Sequence, residues 1–254
     1  MFWSTLLSFF GLTSCAFENH LEKCSDPPHP QQSILFIGNS FTYYGNMPLV
    51  FSKLAKERHP NRDIRVYSQA GPGLQLAQHA NDKNATETLM NSDKWNVVVL
   101  QDQSEMALHP QTLKTMASSC RWFDQRIQKF HGKTALLMTW CDLNRPQDQL
   151  PISKAYRDIA RDLDAIVIPA GELFLEVTKN DPSIAIYDVD QHHPSHYGSF
   201  LVACLTEDIL LHTKTELAEI VSKRLHHEGR KDLIEQKLQE YADDFAIREL
   251  SQPR

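Results

Sequence analysis

The feature that most constrains the fold is a set of five short apolar runs, rich in β-branched residues, which begins after Ser33. Longer stretches with apolar residues at helical spacing separate these runs. Strands that are apolar on both faces are typical of a parallel sheet covered by helices on both sides. We therefore predict an α/β fold, a three-layer α/β/α sandwich around a five-stranded parallel sheet. The predicted strands are residues 34–37, 64–67, 97–100, 134–138 and 165–168.

The stretches between the runs predict the helices of the outer layers. In the first of them, apolar residues between Val50 and Ala55 fall on one helical face, and Pro60 ends the pattern. The other predicted helices cover about 74–90, 110–130, 148–163 and 195–212. Together with the strands they define an α/β domain over residues 33–212.

A different composition follows this domain. From Lys214 onward the chain is rich in Glu, Lys, Gln, Leu and Ala, and Gly229 interrupts its helical spacing of apolar residues. We predict two C-terminal helices within residues 213–254, packed on the domain or projecting from it. A solvated pair of helices that pack on each other is favoured over a partner-binding arm.

The N-terminal residues resemble an export signal. Residues 2–12 are almost wholly apolar and lead through small residues to Cys15, which is the shape of a signal peptide and of a bacterial lipobox. The segment 1–15 then predicts an exported protein, periplasmic or anchored to a membrane through a lipid on Cys15. No Lys or Arg precedes the apolar run, so an ordinary buried segment is the alternative. Residues 16–32 are polar with three prolines and are predicted to be a linker.

The charge balance bears on the partners of the protein. There are 26 Lys and Arg against 32 Asp and Glu, which gives a formal net charge of −6. Proteins that bind nucleic acids normally carry a basic excess, so we predict no nucleic-acid partner.

Cys120 and Cys204 lie in helical stretches and are predicted to be buried free thiols.

A serine stands where such folds bind ligands, beyond the carboxyl ends of the parallel strands. The first predicted strand leads directly into Gly38-Asn39-Ser40, which places Ser40 at a strand-to-helix turn. A serine there can act as a nucleophile if a base and oxyanion donors lie nearby. From this motif alone, Ser40 is equally well explained as the cap of the following helix.

The far end of the domain contains the residues that would activate a serine. Asp190 precedes His193 by three residues in one loop, and this spacing lets the carboxylate orient the imidazole. His192 competes for the same role because it is adjacent to His193. The spacing to Asp190 and the extended backbone expected before Pro194 favour His193.

Together these motifs resemble the sequence blocks of the SGNH (GDSL-like) hydrolase superfamily. Residues 38–41 (GNSF) are similar to the first block, with Asn where most members have Asp, and residues 190–195 are similar to the last. Residues 68–73 follow the second strand as the second block does. The third block departs from the usual Gly-x-Asn-Asp, because residues 101–104 read QDQS. The resemblance spans about residues 33–212 and implies a flavodoxin-like SGNH fold.

The resemblance also implies roles and a reaction. Ser40 matches the nucleophile, His193 the general base and acid, and Asp190 the carboxylate that orients it. The implied activity is that of a serine esterase, which hydrolyses an ester through an acyl-enzyme intermediate. No cofactor and no metal ion are implied.

Three donors match the oxyanion hole of the superfamily. They are the N–H groups of Ser40 and Gly73 and the side-chain amide of Gln103, which stands where most members have Asn. Gln101 is only two residues away and is an alternative to Gln103.

The resemblance leaves the substrate open among small-molecule and carbohydrate esters. The sequence contains no long insertion between the blocks that would form a lid, which favours a shallow site and a small acyl group, such as acetyl on a sugar. Trp140, Cys141 and Asp142 follow the fourth strand and are candidate substrate contacts. The alternative for Trp140 is packing against the edge of the sheet.

Two functions of other classes remain as alternatives. The first is a metal-dependent hydrolase, and the second is a carbohydrate-binding relative without catalytic activity. The metal ligands of the first alternative would be Asp188, Asp190, His192, His193 and His196.

Overall fold

The computed structural model describes residues 32–82, 86–92, 95–224 and 232–252. Five parallel strands form one sheet in the order β2-β1-β3-β4-β5. This confirms the predicted five-stranded parallel sheet of an α/β sandwich. The strands are β1 (Gln32–Gly38), β2 (Ile64–Ala70), β3 (Val97–Leu100), β4 (Lys133–Leu137) and β5 (Ile166–Ile168).

Helices follow the strands in alternation, as the pattern of the sequence requires. Short 3-10 turns cover Tyr44–Asn46, Gln128–Phe130 and Pro146–Asp148. The helices are α1 (Ser40–Tyr43), α2 (Met47–Arg58), α3 (Leu76–Asn81), α4 (Thr86–Ser92), α5 (Pro110–Ile127), α6 (Gln149–Leu163), α7 (Ala170–Asn180), α8 (His196–Leu211), α9 (Lys214–Arg224) and α10 (Leu233–Glu249).

The sheet separates two hydrophobic cores. Along β1, Ile34 and Phe36 face one core, whereas Leu35 and Ile37 face the other, and all four side chains are fully buried. Side chains of α2, α7, α8 and α10 complete the first core, and those of α3, α5 and α6 complete the second. The continuous apolar character of the strands therefore reflects burial on both faces.

Two helical predictions differ from the structure. The single helix expected over 74–90 is two helices, α3 and α4, because Asn81 and Asp82 favour turns over helix interiors and α3 ends there. Helix α7 was not predicted, although Leu173, Phe174 and Val177 have helical spacing and are buried. Helix α7 follows β5 after a single intervening residue, Pro169. In the sequence, its apolar residues therefore cannot be distinguished from a continuation of the strand.

The C-terminal helices share the first core with the sheet. Leu217 of α9 and Leu238 and Ala242 of α10 are fully buried in the same cluster as Leu201 and Leu205 of α8. Helix α10 packs along α8, so α8 lies between the sheet and α10. The described part of the C-terminal region is therefore packed on the α/β domain.

Several predictions fall outside the described residues. The export segment 1–15 with Cys15, the linker up to residue 31, and Gly229 are not described and stay predictions. Among the described residues, no helix is both long and apolar enough to span a membrane. Cys120 and Cys204 are buried free thiols, as predicted.

The strand order fixes where a site can form. After β1 the chain crosses to β2 on one side, and it then returns across β1 to β3 on the other side. The loops after β1 and β3 consequently diverge, and a crevice opens between them at the carboxyl edge of the sheet. The loop after β1 contains Ser40.

The packing of α10 predicts a stability difference between two leucines on the same helix. Leu238 is 0% exposed, whereas Leu233 is 80% exposed. We expect Leu238→Ala to lower the free energy of unfolding by about 2–5 kcal/mol, because it leaves a cavity between α10 and α8. Leu233→Ala is the matched control and should change it by less than about 0.5 kcal/mol. Equal effects in urea unfolding would show that α10 does not belong to the core.

Candidate active site

The backbone of the nucleophile loop is set by Gly38 and Asn39. A Cβ at Gly38 would overlap the side-chain amide of Gln101, so this close approach requires glycine. The Asn39 side chain accepts a hydrogen bond from the Phe41 N–H at 3.1 Å and thereby caps α1. Asn39 is the cap, and the alternative that Ser40 caps the helix is wrong.

Gln101 ties this loop to the end of β3. Its buried Oε1 accepts hydrogen bonds from the Asn39 N–H at 3.0 Å and from the Thr42 hydroxyl at 2.7 Å. Its Nε2 donates to Asn39 Oδ1 at 3.0 Å and to the backbone oxygen of Asp102. Both ends of the amide are engaged in holding loops together, which is a structural role rather than that of an oxyanion donor.

Ser40, His193 and Asp190 lie in one hydrogen-bonded row. His193 Nε2 is 3.0 Å from Ser40 Oγ, and His193 Nδ1 is 2.6 Å from Asp190 Oδ2. Ser40 and His193 are 153 residues apart in the chain, and the fold brings them into contact. All three candidate catalytic residues are thus together, in the order that a serine hydrolase needs.

A tight loop between α7 and α8 shapes the acidic end of this row. Tyr187 and Pro194 form an isolated antiparallel bridge, and Gln191 between them adopts a left-handed backbone with φ of 60°. The turn places Asp190 Oδ1 within 3.0 Å of the His192 N–H and 2.9 Å of the His193 N–H. The loop therefore presents two backbone donors to a single carboxylate.

These contacts determine the charge of Asp190. The hydrogen bond from His193 and those from the two backbone N–H groups lower its pKa to about 2. The carboxylate is therefore ionised under ordinary conditions and can hold the imidazole in the tautomer with a proton on Nδ1. That tautomer leaves Nε2 able to accept the proton of Ser40.

His192 belongs to a second histidine–carboxylate pair. Its Nδ1 is 2.6 Å from Asp142 Oδ1, and Asp142 is also held by Arg145 at 2.6 Å. Burial alone would raise the pKa of Asp142, but the hydrogen bonds from His192 and Arg145 outweigh it and lower the pKa. Neighbouring imidazoles thus face different carboxylates, and only His193 contacts Ser40.

Trp140 does not line the cleft, so the prediction that it contacts substrate is wrong. Its side chain is 1% exposed and is sandwiched between Phe41, at 4.4 Å between ring centroids, and Phe174, at 4.3 Å. Its indole N–H donates to the His192 carbonyl at 3.0 Å. Trp140 therefore packs beneath the site and holds the backbone of His192 in place.

The cleft above Ser40 has a volume of about 380 Å³. Tyr44, which was not among the predicted site residues, stacks its ring on the His193 imidazole at 4.4 Å between centroids. Its position four residues after Ser40 was the available signal. The lining residues are Asn39, Ser40, Phe41, Tyr43, Tyr44, Pro72, Gly73, Gln103, Ser104, His192 and His193.

Two of the predicted oxyanion donors, Gly73 and Gln103, meet Ser40 at this cleft. Gly73 has a left-handed backbone with φ of 62°, which favours glycine. The Gln103 Oε1 accepts from the Glu105 N–H at 3.0 Å, and Nε2 donates one of its two protons to Ser104 Oγ at 3.2 Å. The amide is therefore oriented, and one N–H remains to donate into the cleft.

Asp102 supports this loop from below. Its Oδ1 accepts hydrogen bonds from the Gln103 N–H at 2.8 Å and the Leu76 N–H at 2.9 Å. Burial raises the pKa of Asp102 in spite of these two donors. One carboxyl group thereby joins the loop after β3 to the start of α3.

The five candidate ligands of a metal-dependent hydrolase do not converge on one point. Asp190 pairs with His193, which contacts Ser40, whereas His192 pairs with Asp142. His196 lies on α8 with its Nε2 3.6 Å from Glu235. Asp188 accepts from the Val189 N–H at 2.7 Å.

No protein-family model and no curated protein sequence matches the chain. Solved structures do match it. A protein from Slackia heliotrinireducens, proposed to be an SGNH hydrolase, is 21% identical with a TM-score of 0.61, over 71% of this chain and 100% of that one. A DUF4886 family protein from Bacteroides uniformis is 16% identical with a TM-score of 0.68, over 89% and 98%.

An acetyl xylan esterase, AlAXEase, is also similar, with 19% identity, a TM-score of 0.56, and coverage of 67% of this chain and 96% of that one. At these identities the likeness concerns the fold. The chain has the three-layer α/β fold of the SGNH hydrolases.

Proposed function

We propose that the protein is a serine esterase that acts through an acyl-enzyme intermediate. The observation that carries the proposal is the row of contacts from Ser40 Oγ to His193 Nε2, at 3.0 Å, and from His193 Nδ1 to Asp190, at 2.6 Å. A base within hydrogen-bond reach of a serine, itself held by a carboxylate, is the arrangement that activates a serine nucleophile.

In the proposed reaction, Ser40 Oγ bonds to the ester carbonyl carbon while His193 Nε2 takes the hydroxyl proton. The tetrahedral intermediate then breaks its bond to the alcohol oxygen, which leaves with that proton. Water next attacks the acyl-enzyme and gives a proton to His193. When the second intermediate collapses, the acid leaves and Ser40 regains its proton.

The charge that develops on the carbonyl oxygen needs donors placed in advance. The N–H groups of Ser40 and Gly73 and the Gln103 amide are the proposed donors, because all three residues line the same cleft. Removal of one such donor typically costs about 3 kcal/mol of barrier. Gln103 is preferred over Gln101 because Gln101 Nε2 already donates to Asn39 Oδ1 and to the backbone oxygen of Asp102.

For the substrate, we propose an ester of a small acyl group, such as acetyl on a carbohydrate. The cleft of about 380 Å³ combines aromatic rings, from Tyr43 and Tyr44, with polar groups from Gln103, Ser104 and His192. Such a lining suits a sugar, which presents both hydroxyl groups and apolar faces. The similarity to an acetyl xylan esterase supports the same choice.

Two measurements separate this proposal from its alternatives. A metal-dependent hydrolase would lose activity with a chelator such as EDTA, whereas the proposed esterase keeps it. A carbohydrate-binding relative would bind acetylated sugars without releasing acetate. A panel of p-nitrophenyl esters and acetylated sugars, assayed with and without EDTA, addresses both.

The first prediction for the site concerns the nucleophile. Ser40→Ala should abolish esterase activity and labelling by a fluorophosphonate probe, because both require the Ser40 oxygen to form a covalent bond. The fold should be retained, as judged by circular dichroism. Ser104→Ala, at the rim of the same cleft, is the matched control and should still be labelled. Labelling that persists in Ser40→Ala would reject Ser40 as the nucleophile.

The two adjacent histidines should differ strongly in their effects. His193→Ala removes the group that contacts Ser40 and should lower kcat by roughly 10⁴-fold or more. His192→Ala removes the partner of Asp142 and should lower kcat by less than about tenfold, since the base itself remains in place. Equal losses in steady-state assays would mean that the assignment of the base is wrong.

The ionised carboxylate of Asp190 predicts a large effect of its removal. Because its pKa is about 2, the carboxylate is charged at neutral pH. Asp190→Asn should therefore lower kcat by about 10⁴-fold at about pH 7–8, as in the comparable serine-protease variant, because the imidazole loses both its orientation and the neighbouring negative charge. Steady-state assays of both proteins measure the loss. A loss of less than about tenfold would show that Asp190 does not orient His193.

A further inference from the structure

A second cluster of polar side chains lies at the opposite edge of the sheet from Ser40. His59 is the C-cap of α2, Glu207 lies in the second half of α8, and His212 is the C-cap of α8. Helix α8 begins beside the catalytic loop and reaches Glu207 eleven residues after His196, roughly 16 Å along its axis. The cluster is therefore separate from the proposed esterase site.

The three side chains converge on a single point. Their candidate ligand atoms lie within 4.8 Å of one another. Glu207 Oε1 is 2.9 Å from His59 Nε2 and 3.6 Å from His212 Nδ1. Ligands around a tetrahedral zinc ion, bound at about 2.0–2.2 Å, are about 3.3 Å apart, and the two observed distances bracket this value.

The imidazole of His212 is buried without a hydrogen-bond partner in the described part of the chain. Its side chain is 2% exposed, and neither ring nitrogen has a hydrogen-bond partner among the described residues. A buried nitrogen without a partner costs about 1–3 kcal/mol, so such atoms are rare in folded proteins. His212 Nδ1 lies 3.6 Å from Glu207 Oε1, a distance too long for a hydrogen bond, which leaves room for an ion between the two atoms.

The local charge points to a cation. Glu207, Asp208 and Asp243 are all buried, and Arg58 is the cation that pairs with them among the described residues. Arg58 donates to Glu207 Oε2 and to Asp208 Oδ1, the latter at 2.6 Å. The other carboxylate oxygen of Glu207 faces the two histidines. A divalent ion beside this oxygen would be paired with a buried carboxylate, which offsets part of the cost of burying its charge.

We propose that His59, Glu207 and His212 bind a zinc ion, with water as the fourth ligand. Two imidazoles and one carboxylate are ligands that zinc prefers, and three protein ligands with one open position fit its tetrahedral geometry. His59, which is 12% exposed at its side chain, provides access from the surface. The ion joins the end of α2 to the end of α8 and stabilises the fold, without taking part in ester hydrolysis.

One neighbouring residue must adjust. When Nε2 of His59 binds the ion, Nδ1 carries a proton, and Arg62 Nη1 lies 3.4 Å from that atom. Arg62 already donates to the Leu211 carbonyl and to Gln32 Oε1, both at 3.1 Å, so these two partners retain it when the longer contact is lost.

The first test measures zinc content. The full-length protein is stripped with EDTA, loaded with zinc and dialysed, and its metal is then measured by mass spectrometry. The wild type should retain one equivalent, whereas His59→Gln and Glu207→Gln should retain almost none. His193→Gln, which removes the active-site imidazole, is the control and should still retain one equivalent. Binding that survives His59→Gln but disappears in His193→Gln would place the ion at the active site and overturn the proposal.

The second test measures stability, and His59→Gln is its main variant because the residue is at the surface end of α2. At a hundredfold excess of zinc over its Kd, the Tm of the wild type should rise by roughly 5–10 °C, and that of His59→Gln should not rise. Cobalt in place of zinc should give the visible absorption bands of a tetrahedral ion in the wild type alone. Zinc-free wild type should keep its kcat at temperatures well below its Tm. A wild type with no retained zinc, or with equal Tm shifts in both proteins, would overturn the proposal.

Discussion

The proposed active site depends on a set of hydrogen bonds made by two side-chain amides, those of Asn39 and Gln101. Gln101 accepts from the Asn39 backbone and donates to its side chain, while Asn39 donates in turn to the carbonyl of Leu74 at 2.9 Å. These hydrogen bonds join the loops after β1, β2 and β3, and they do so without using any of the proposed catalytic side chains. Ser40, Gly73 and Gln103 each lie one or two residues from a member of this set, so their mutual positions follow from it. The Asn39 side chain is satisfied at both ends, because its oxygen accepts from Gln101 and from the Phe41 N–H while its nitrogen donates to Leu74.

How far the sequence predicts the structure depends on the range of each interaction. The sheet could be predicted because its strands are buried on both faces, which leaves a local apolar signature. The pairing of Asp190 with His193 could be predicted because both lie in one loop. The pair of Asp142 and His192 could not, since fifty residues separate them and no local pattern marks either. Trp140 shows the same limit: a tryptophan after a strand is compatible with core and cleft alike, and only the three-dimensional arrangement of Phe41 and Phe174 decides.

The two histidine–carboxylate pairs show how adjacent residues acquire different roles. The left-handed residue Gln191 turns the chain just before His192, and the two rings then stand at 89° to each other, with centroids 4.9 Å apart. His193 is fixed by a carboxylate from its own loop and by the stacked ring of Tyr44. His192 is fixed by Asp142 from the loop after β4, and Trp140 of the same loop binds its carbonyl. The position of the catalytic loop is therefore set by the neighbouring strand, and its internal geometry by its own turn.

Helix α8 has a consequence for how the chain folds during synthesis. Residues 198–209 are buried on every side of the helix, because the sheet covers one face and α10 covers the other. When α8 leaves the ribosome, the strands that pack on its inner face have already been made, but α10 has not. The outer face of α8 therefore stays open to water until α10 follows. During this interval the nascent chain presents an apolar surface of the kind that chaperones bind and that associates with other chains.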